Sequence, residues 1–91
     1  MRIDKFLKMA RLVKRRTVAQ EMIEVGAVRI DGRSCKPSAE VREGGTIEVA
    51  YMARVLRVKV LCVDEQLLKR PQTVACEVLE ERQVRPDEKP W

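Results

Sequence analysis

Arg11-Leu12-Val13-Lys14-Arg15-Arg16 stands between two helical patterns, and four of its six residues are cationic. Upstream, Ile3, Phe6, Leu7 and Ala10 recur at i, i+3, i+4 and i+7, the spacing of one face of a helix. Asp4 suits an N-cap or first-turn position there. Lys5 and Lys8 fall on the opposite side of that helix, with Arg2 and Arg11 near its ends. Downstream, the spacing predicts a second helix from Thr17 to Val25 that buries Val18, Ala19, Met22, Ile23 and Val25 and stops at Gly26. Leu12 and Val13 then read as a buried link ahead of the basic turn.

The placement of charge in this stretch is uneconomical for folding alone. Lys14, Arg15 and Arg16 fall at or just before the first turn of the second helix, whose N-terminus already carries partial positive charge. Cations there cost on the order of a few tenths of a kcal/mol each. Free backbone N–H groups and guanidinium forks together make a phosphate site, so an arriving anion explains what stability does not. A solvated basic turn is the plain alternative. On the helical wheel Arg16 and Gln20 flank the apolar stripe, whereas Thr17, Glu21 and Glu24 point away from it. Acidic groups are thus kept off the edge that Arg16 presents.

Beyond Gly26 the period changes from helical to two. Val28 and Ile30 alternate with Arg29, Asp31-Gly32 is a two-residue hairpin signal, and Arg33-Ser34-Cys35-Lys36 returns. Pro37 and Ser38 break that strand, and Val41 anchors the loop before Gly44-Gly45. Thr46 to Tyr51 predicts a strand with Ile47, Val49 and Tyr51 on one face. After a turn at Met52-Ala53-Arg54, Leu56, Val58, Val60 and Cys62 alternate with Arg57, Lys59 and Leu61. Two helices followed by a small antiparallel sheet make an α+β fold. From Asp64 onward the pattern weakens. Past Pro71, Val74, Ala75, Val78 and Leu79 form a narrow stripe that predicts a short C-terminal helix from Thr73 to Val84, acidic through Glu77, Glu80 and Glu81. Residues 1–63 are therefore read as one domain with a sheet extension, and 64–91 as a tail. Pro86 to Trp91 is expected to fray, leaving Trp91 exposed.

Composition narrows the function. Ninety-one residues carry a net charge of +5, and residues 1–36 hold ten Lys/Arg against four Asp/Glu. A basic half on a near-neutral remainder points to a polyanion such as nucleic acid. Neither basic helix shows the large apolar face that a membrane surface requires, no run approaches a transmembrane span, and Met1-Arg2-Ile3-Asp4 does not open a signal peptide. Cys35, Cys62 and Cys76 share no C-x-x-C spacing and there is no histidine, which predicts reduced thiols in a cytoplasmic protein with no metal and no cofactor. With no histidine, no nucleophile–base pair and no Gly-rich phosphate loop, an enzyme is the weakest reading. A protein-interaction module whose basic helices meet an acidic partner is the alternative to RNA binding.

Arg2-Ile3-Asp4-Lys5-Phe6-Leu7, the basic linker, Ala19, Met22-Ile23-Glu24, Gly26, Val28, Asp31-Gly32, Lys36-Pro37-Ser38, Val41, Gly44 and Ile47-x-Val49 resemble the S-four RNA-binding domain over about residues 1–50. The chain departs from that domain at Lys14, where many members place a capping Ser, and at Gly45, where Asp is common. The stand-alone form resembles the fifteen-kilodalton heat-shock proteins and the RqcP factors of ribosome-associated quality control, with the length favouring the latter. The resemblance implies an alpha-L motif and a non-catalytic factor, and the chain is expected to be a monomer. Such a factor docks on the rRNA of a large ribosomal subunit that still carries peptidyl-tRNA. It implies support for C-terminal alanine tailing of the nascent chain, beside a tailing factor on the same subunit. Carried onto this chain, the RNA face comprises Arg2, Lys5, Arg11, Lys14, Arg15, Arg16 and Gln20, with Arg33 and Lys36 at the hairpin. Such a patch would read phosphate spacing and shape, since side chains do not enter the deep groove of A-form RNA. Arg16 leads this set. Its replacement is expected to spare the fold, and Lys8 is taken to lie away from the junction.

Overall fold

The computed structural model describes residues 1–85 and 87–91. The periodic apolar residues form α1 (Ile3–Met9), in which Ile3, Phe6 and Leu7 are fully buried. α2 (Arg16–Glu24) follows the basic linker. It ends at Gly26, whose φ is 80°; the Gly26 N–H donates to the Ile23 carbonyl and the Ala27 N–H to that of Met22. This pair of bonds is a Schellman cap, and a β-carbon at that φ would strain it. Ala19 and Ile23 are buried, but Val18 is 40% and Val25 80% exposed. The apolar stripe of α2 is therefore narrower than its periodicity predicts.

β1 (Val28–Ile30) and β2 (Arg33–Ser34) join through Asp31-Gly32 at φ 49° and 79°. Two consecutive left-handed residues match the right-handed twist of the flanking strands. The Asp31 carboxylate then accepts from the N–H and hydroxyl of Thr46 at 2.9 and 3.2 Å, pinning the hairpin to β3 (Thr46–Ala50). β4 (Arg54–Val60) returns beside β3. α3 (Glu65–Leu68) is a single turn capped by Asp64, and β5 (Cys76–Gln83) completes an antiparallel sheet of order β2-β1-β3-β4-β5. Val28, Ile47, Val49, Leu56, Val58 and Val60 share one sheet face and form the core with Ile3, Phe6, Leu7, Ala19 and Ile23. Burying each such side chain contributes about 1.5–3 kcal/mol before conformational entropy is counted. The α+β class and the anchoring by Val41, 3% exposed, agree with the sequence.

The C-terminal segment differs. Residues 73–84 are not a helix; β5 pairs with β4 at seven positions, and the only helix after β4 among the described residues is α3. The reason lies in a bulge. Val78 faces Val58 and Glu80 faces Arg57, so Leu79 is an extra residue that breaks the alternation. A period-two pattern interrupted once, on a strand with most residues exposed, mimics an i, i+4 stripe.

The other sheet face is charged. Arg29 lies opposite Glu48, Glu48 opposite Arg57, and Arg57 opposite Glu80; in the next row Lys59 faces Glu77. Among the described residues none of these facing pairs closes to an ion pair, so they balance charge across the face without joining it. The end of the tail makes contacts of its own, with Trp91 exposed as its position predicts. Pro86 lies outside the described residues, but the Trp91 indole donates to the Gly26 carbonyl at 3.1 Å and the Arg29 guanidinium lies 5.1 Å from its ring centre. Arg82 donates to the Pro90 carbonyl at 2.7 Å.

Candidate nucleic-acid interface

Helical spacing carries Asp4 into the first turn of α1 and then, against the usual habit of aspartate, completely out of solvent. No side-chain cap forms there; the carboxylate turns to α2 instead. It accepts from the Gln20 side-chain amide at 2.8 Å, from an Arg2 guanidinium nitrogen at 3.1 Å and from the Lys5 N–H at 2.7 Å. Arg16 Nε stands 3.3 Å from the same carboxylate, an ion pair by distance whose alignment is too poor for a hydrogen bond, so this buried N–H has no partner. Burial pushes the Asp4 carboxyl up, but the Gln20 bond, Arg16 and the Lys5 N–H outweigh it and hold the group below the usual aspartate range. Arg2 and Arg16 are thus rooted on one buried anion while 46% and 41% of their side chains stay exposed.

This geometry gives Arg16 a part in the fold that the helix-end argument alone leaves out. Removing it strips a counter-charge from a fully buried carboxylate, and that loss exceeds the few tenths of a kcal/mol recovered at the helix end.

The linker provides a second group. Arg11 adopts φ 62°, unusual for a residue with a β-carbon, and turns the chain between the helices. Lys8, Arg11 and Lys14 line one shallow groove together with Val13. Lys14 and Arg15 also border a neighbouring groove against α2. Among the described residues, none of these four cations forms an ion pair, whereas Arg2, Lys5 and Arg16 all do. Lys8 consequently belongs to the basic surface and is not remote from it. Its three-residue spacing from Arg11 was the available signal.

Lys5 has a different fate. Its ammonium contacts Glu65 of α3 at 2.7 Å, and this contact holds the Glu65 carboxyl below its usual range. Glu65 and Glu40 share a groove with Arg2, Lys5 and Arg16, so acidic groups from distant parts of the chain trim the field there. Glu65→Gln frees Lys5 without touching α1. It is expected to tighten RNA binding about two- to threefold, the scale of one exposed ion pair, as fluorescence anisotropy at physiological salt would measure.

The remaining two sequence candidates separate. Lys36 is exposed on a loop whose Pro37 and Ala39 carbonyls accept from the N–H groups of Asp4 and Ile3 at 3.3 and 2.8 Å, which puts it at the Arg2 end of α1. Arg33 is exposed on β2 opposite Ile30 and stays with the hairpin.

Comparison with known proteins follows the same outline. The family model described as the S4 domain matches residues 1–47. A Listeria innocua protein named RQC P-site tRNA stabilizing factor is 35% identical over 81 residues, covering 89% of this chain and 88% of its own. A Helicobacter pylori protein of the same name is 52% identical over 52 residues, 57% of this chain and 62% of its own. In fold, the chain is similar to the trimeric structure of Vibrio cholerae heat shock protein 15, with a TM-score of 0.74 at 24% identity over 86% of this chain and 80% of that one. The family match takes in both helices, the basic linker and the first hairpin, just over half of the chain, and the chain belongs to the S4 domain family.

Proposed function

We propose that this protein is a non-catalytic factor of ribosome-associated quality control. It docks on rRNA and tRNA of large ribosomal subunits that carry peptidyl-tRNA. There it holds the tRNA in place while the stalled nascent chain is extended at its C-terminus, with alanine, by a separate tailing factor. It acts as a cytoplasmic monomer. The observation that supports this most is the set of cations Lys8, Arg11, Lys14 and Arg15, which form no ion pair among the described residues, on the same two helices and linker that carry the Asp4-anchored pair Arg2 and Arg16. The anchored pair supplies fixed guanidinium forks for phosphates, and the unpaired cations supply long-range attraction. The name shared by relatives that align over most of this chain supports the same reading.

Co-sedimentation with large subunits carrying peptidyl-tRNA tests it. Binding should be lost on RNase treatment, and log K should fall with log[salt] with a slope of about −4 to −6, the release expected from roughly six phosphate contacts. A flat salt response, or binding that survives RNase, would instead mean a protein partner.

A further inference from the structure

The groove between the linker and α2 differs in character from the rest of the basic surface. Val13, Val18, Met22 and Tyr51 line it together with Lys14 and Arg15, and its volume is about 510 Å³, within the ~300–1,000 Å³ range of small-ligand clefts. Val18, on its wall, is 40% exposed where its periodicity predicts burial. Tyr51 reaches the groove from the end of β3, tied by a 2.6 Å hydrogen bond from its hydroxyl to the Leu12 carbonyl, 39 residues away. The Arg54 guanidinium lies 4.8 Å from the centre of the same ring. By sequence the aromatic residues are scattered and argue against base stacking; folding brings one of them to the basic linker.

We propose that this groove receives one unstacked nucleotide of the bound RNA, its base against Tyr51, Met22 and Val18 and its phosphates on Lys14 and Arg15. The inference rests on the RNA-docking function above and deepens it. Two observations select a nucleotide over a peptide. Lys14 and Arg15 form no ion pair among the described residues, which calls for an anionic occupant, whereas Arg54 on the Tyr51 ring is already held by Glu81 at 3.2 Å. Lys14 and Arg15 also belong to the basic linker, so an RNA strand tracking the linker enters the groove without leaving the protein. A nucleotide joins an apolar, flat body to a phosphate at the distance of a sugar, which is the combination the groove offers. Bases splayed from bulges and loops are the elements that proteins stack on aromatic rings and read in RNA.

The test uses the full chain and two RNA hairpins of equal length, one fully paired and one with a single bulged 5-iodouridine. The bulged hairpin should bind about tenfold more tightly, within the range of one base stacked on an aromatic ring. Irradiation should crosslink its bulge to Tyr51 or Met22. Val18→Gln and Tyr51→Leu should erase the tenfold preference while leaving the paired hairpin's affinity unchanged. Tyr51→Phe, which loses the bond to Leu12 but keeps the ring, should retain it. Equal affinity for both hairpins, or crosslinks confined to residues outside the groove, overturns the nucleotide proposal while leaving RNA docking intact. Failure to bind either hairpin or large subunits removes the docking function and the proposal with it. If Val18→Gln leaves both hairpins unaffected but abolishes a contact with a ribosomal protein, the occupant is a peptide and the proposal is overturned.

Discussion

Asp4→Ala is expected to lower the melting temperature by about 10–20 °C. Breaking a buried ion pair by deleting one partner costs about 3–5 kcal/mol. Here Arg2 and Arg16 keep nearly half of their side chains in water, so the loss is discounted to about 2–3 kcal/mol. For a domain of this size each kcal/mol moves the midpoint by about 4–8 °C. Asp4→Asn should fall roughly midway, since an amide still accepts from Gln20 but gives Arg16 no counter-charge. Acid should reveal the same interaction. The carboxyl is held below its ordinary value of 3.8 in the folded protein, so its stabilisation is complete above the unfolded pKa. It is lost as pH falls through the lower folded value. The gap in melting temperature between the parent and Asp4→Asn should therefore be constant at neutral pH and close on acidification below about pH 3.8. Thermal melts followed by circular dichroism from pH 7 to pH 2 measure it. A gap that does not close would mean that the carboxylate charge is not what stabilises the fold.

Arg16→Ala is expected to weaken binding to large subunits by about 1.5–3 kcal/mol, the scale of a hydrogen bond to a charged group. It should also cost about 1 kcal/mol of stability by loosening the Asp4 cluster, a modest figure because 41% of the side chain is exposed. The two effects are separable, because affinity can be measured well below the melting transition. Arg16→Lys should recover only part of either, since an ammonium lacks the planar fork that touches Asp4 and a phosphate at once. Lys59→Ala, on the outer face of β4, is the charge-matched control. Equal losses for Arg16→Ala and Lys59→Ala would show a partner that senses net charge alone.

Where local rules act unopposed, the sequence predicts the structure closely. The i, i+3, i+4 spacing placed α1 and α2 to within a residue or two, the Asp-Gly pair placed the hairpin, and strict alternation placed β3 and β4. Asp4 was not legible in that way. A first-turn aspartate has a default role at the helix surface, and only the approach of Arg2, Arg16 and Gln20 makes its burial tolerable. β5 was hidden because one bulged residue, Leu79, breaks the alternation that would have marked a strand. Glu65 beside Lys5 and Tyr51 beside Leu12 are pairs of residues far apart in sequence, 39 positions in the second case, and no periodicity links them. Lys8 is the exception, since its three-residue spacing from Arg11 already sets the two cations on one face of the helical pattern.

The alternating row of Arg29, Glu48, Arg57 and Glu80 has an effect beyond the sheet that carries it. Charges that answer one another across strands cancel at a distance, so that side of the molecule is nearly silent to an approaching ion. The linker cations Arg11, Lys14 and Arg15 form no ion pair among the described residues and stand outside the strand register that sets a carboxylate opposite each cation of the row. The protein therefore meets a polyanion as an asymmetric body, with a field that turns it as well as pulls it. A particle rotated into register before contact wastes fewer collisions, and association gains speed that salt would take away. The quiet back of the sheet thus shapes how quickly the helical side finds its target.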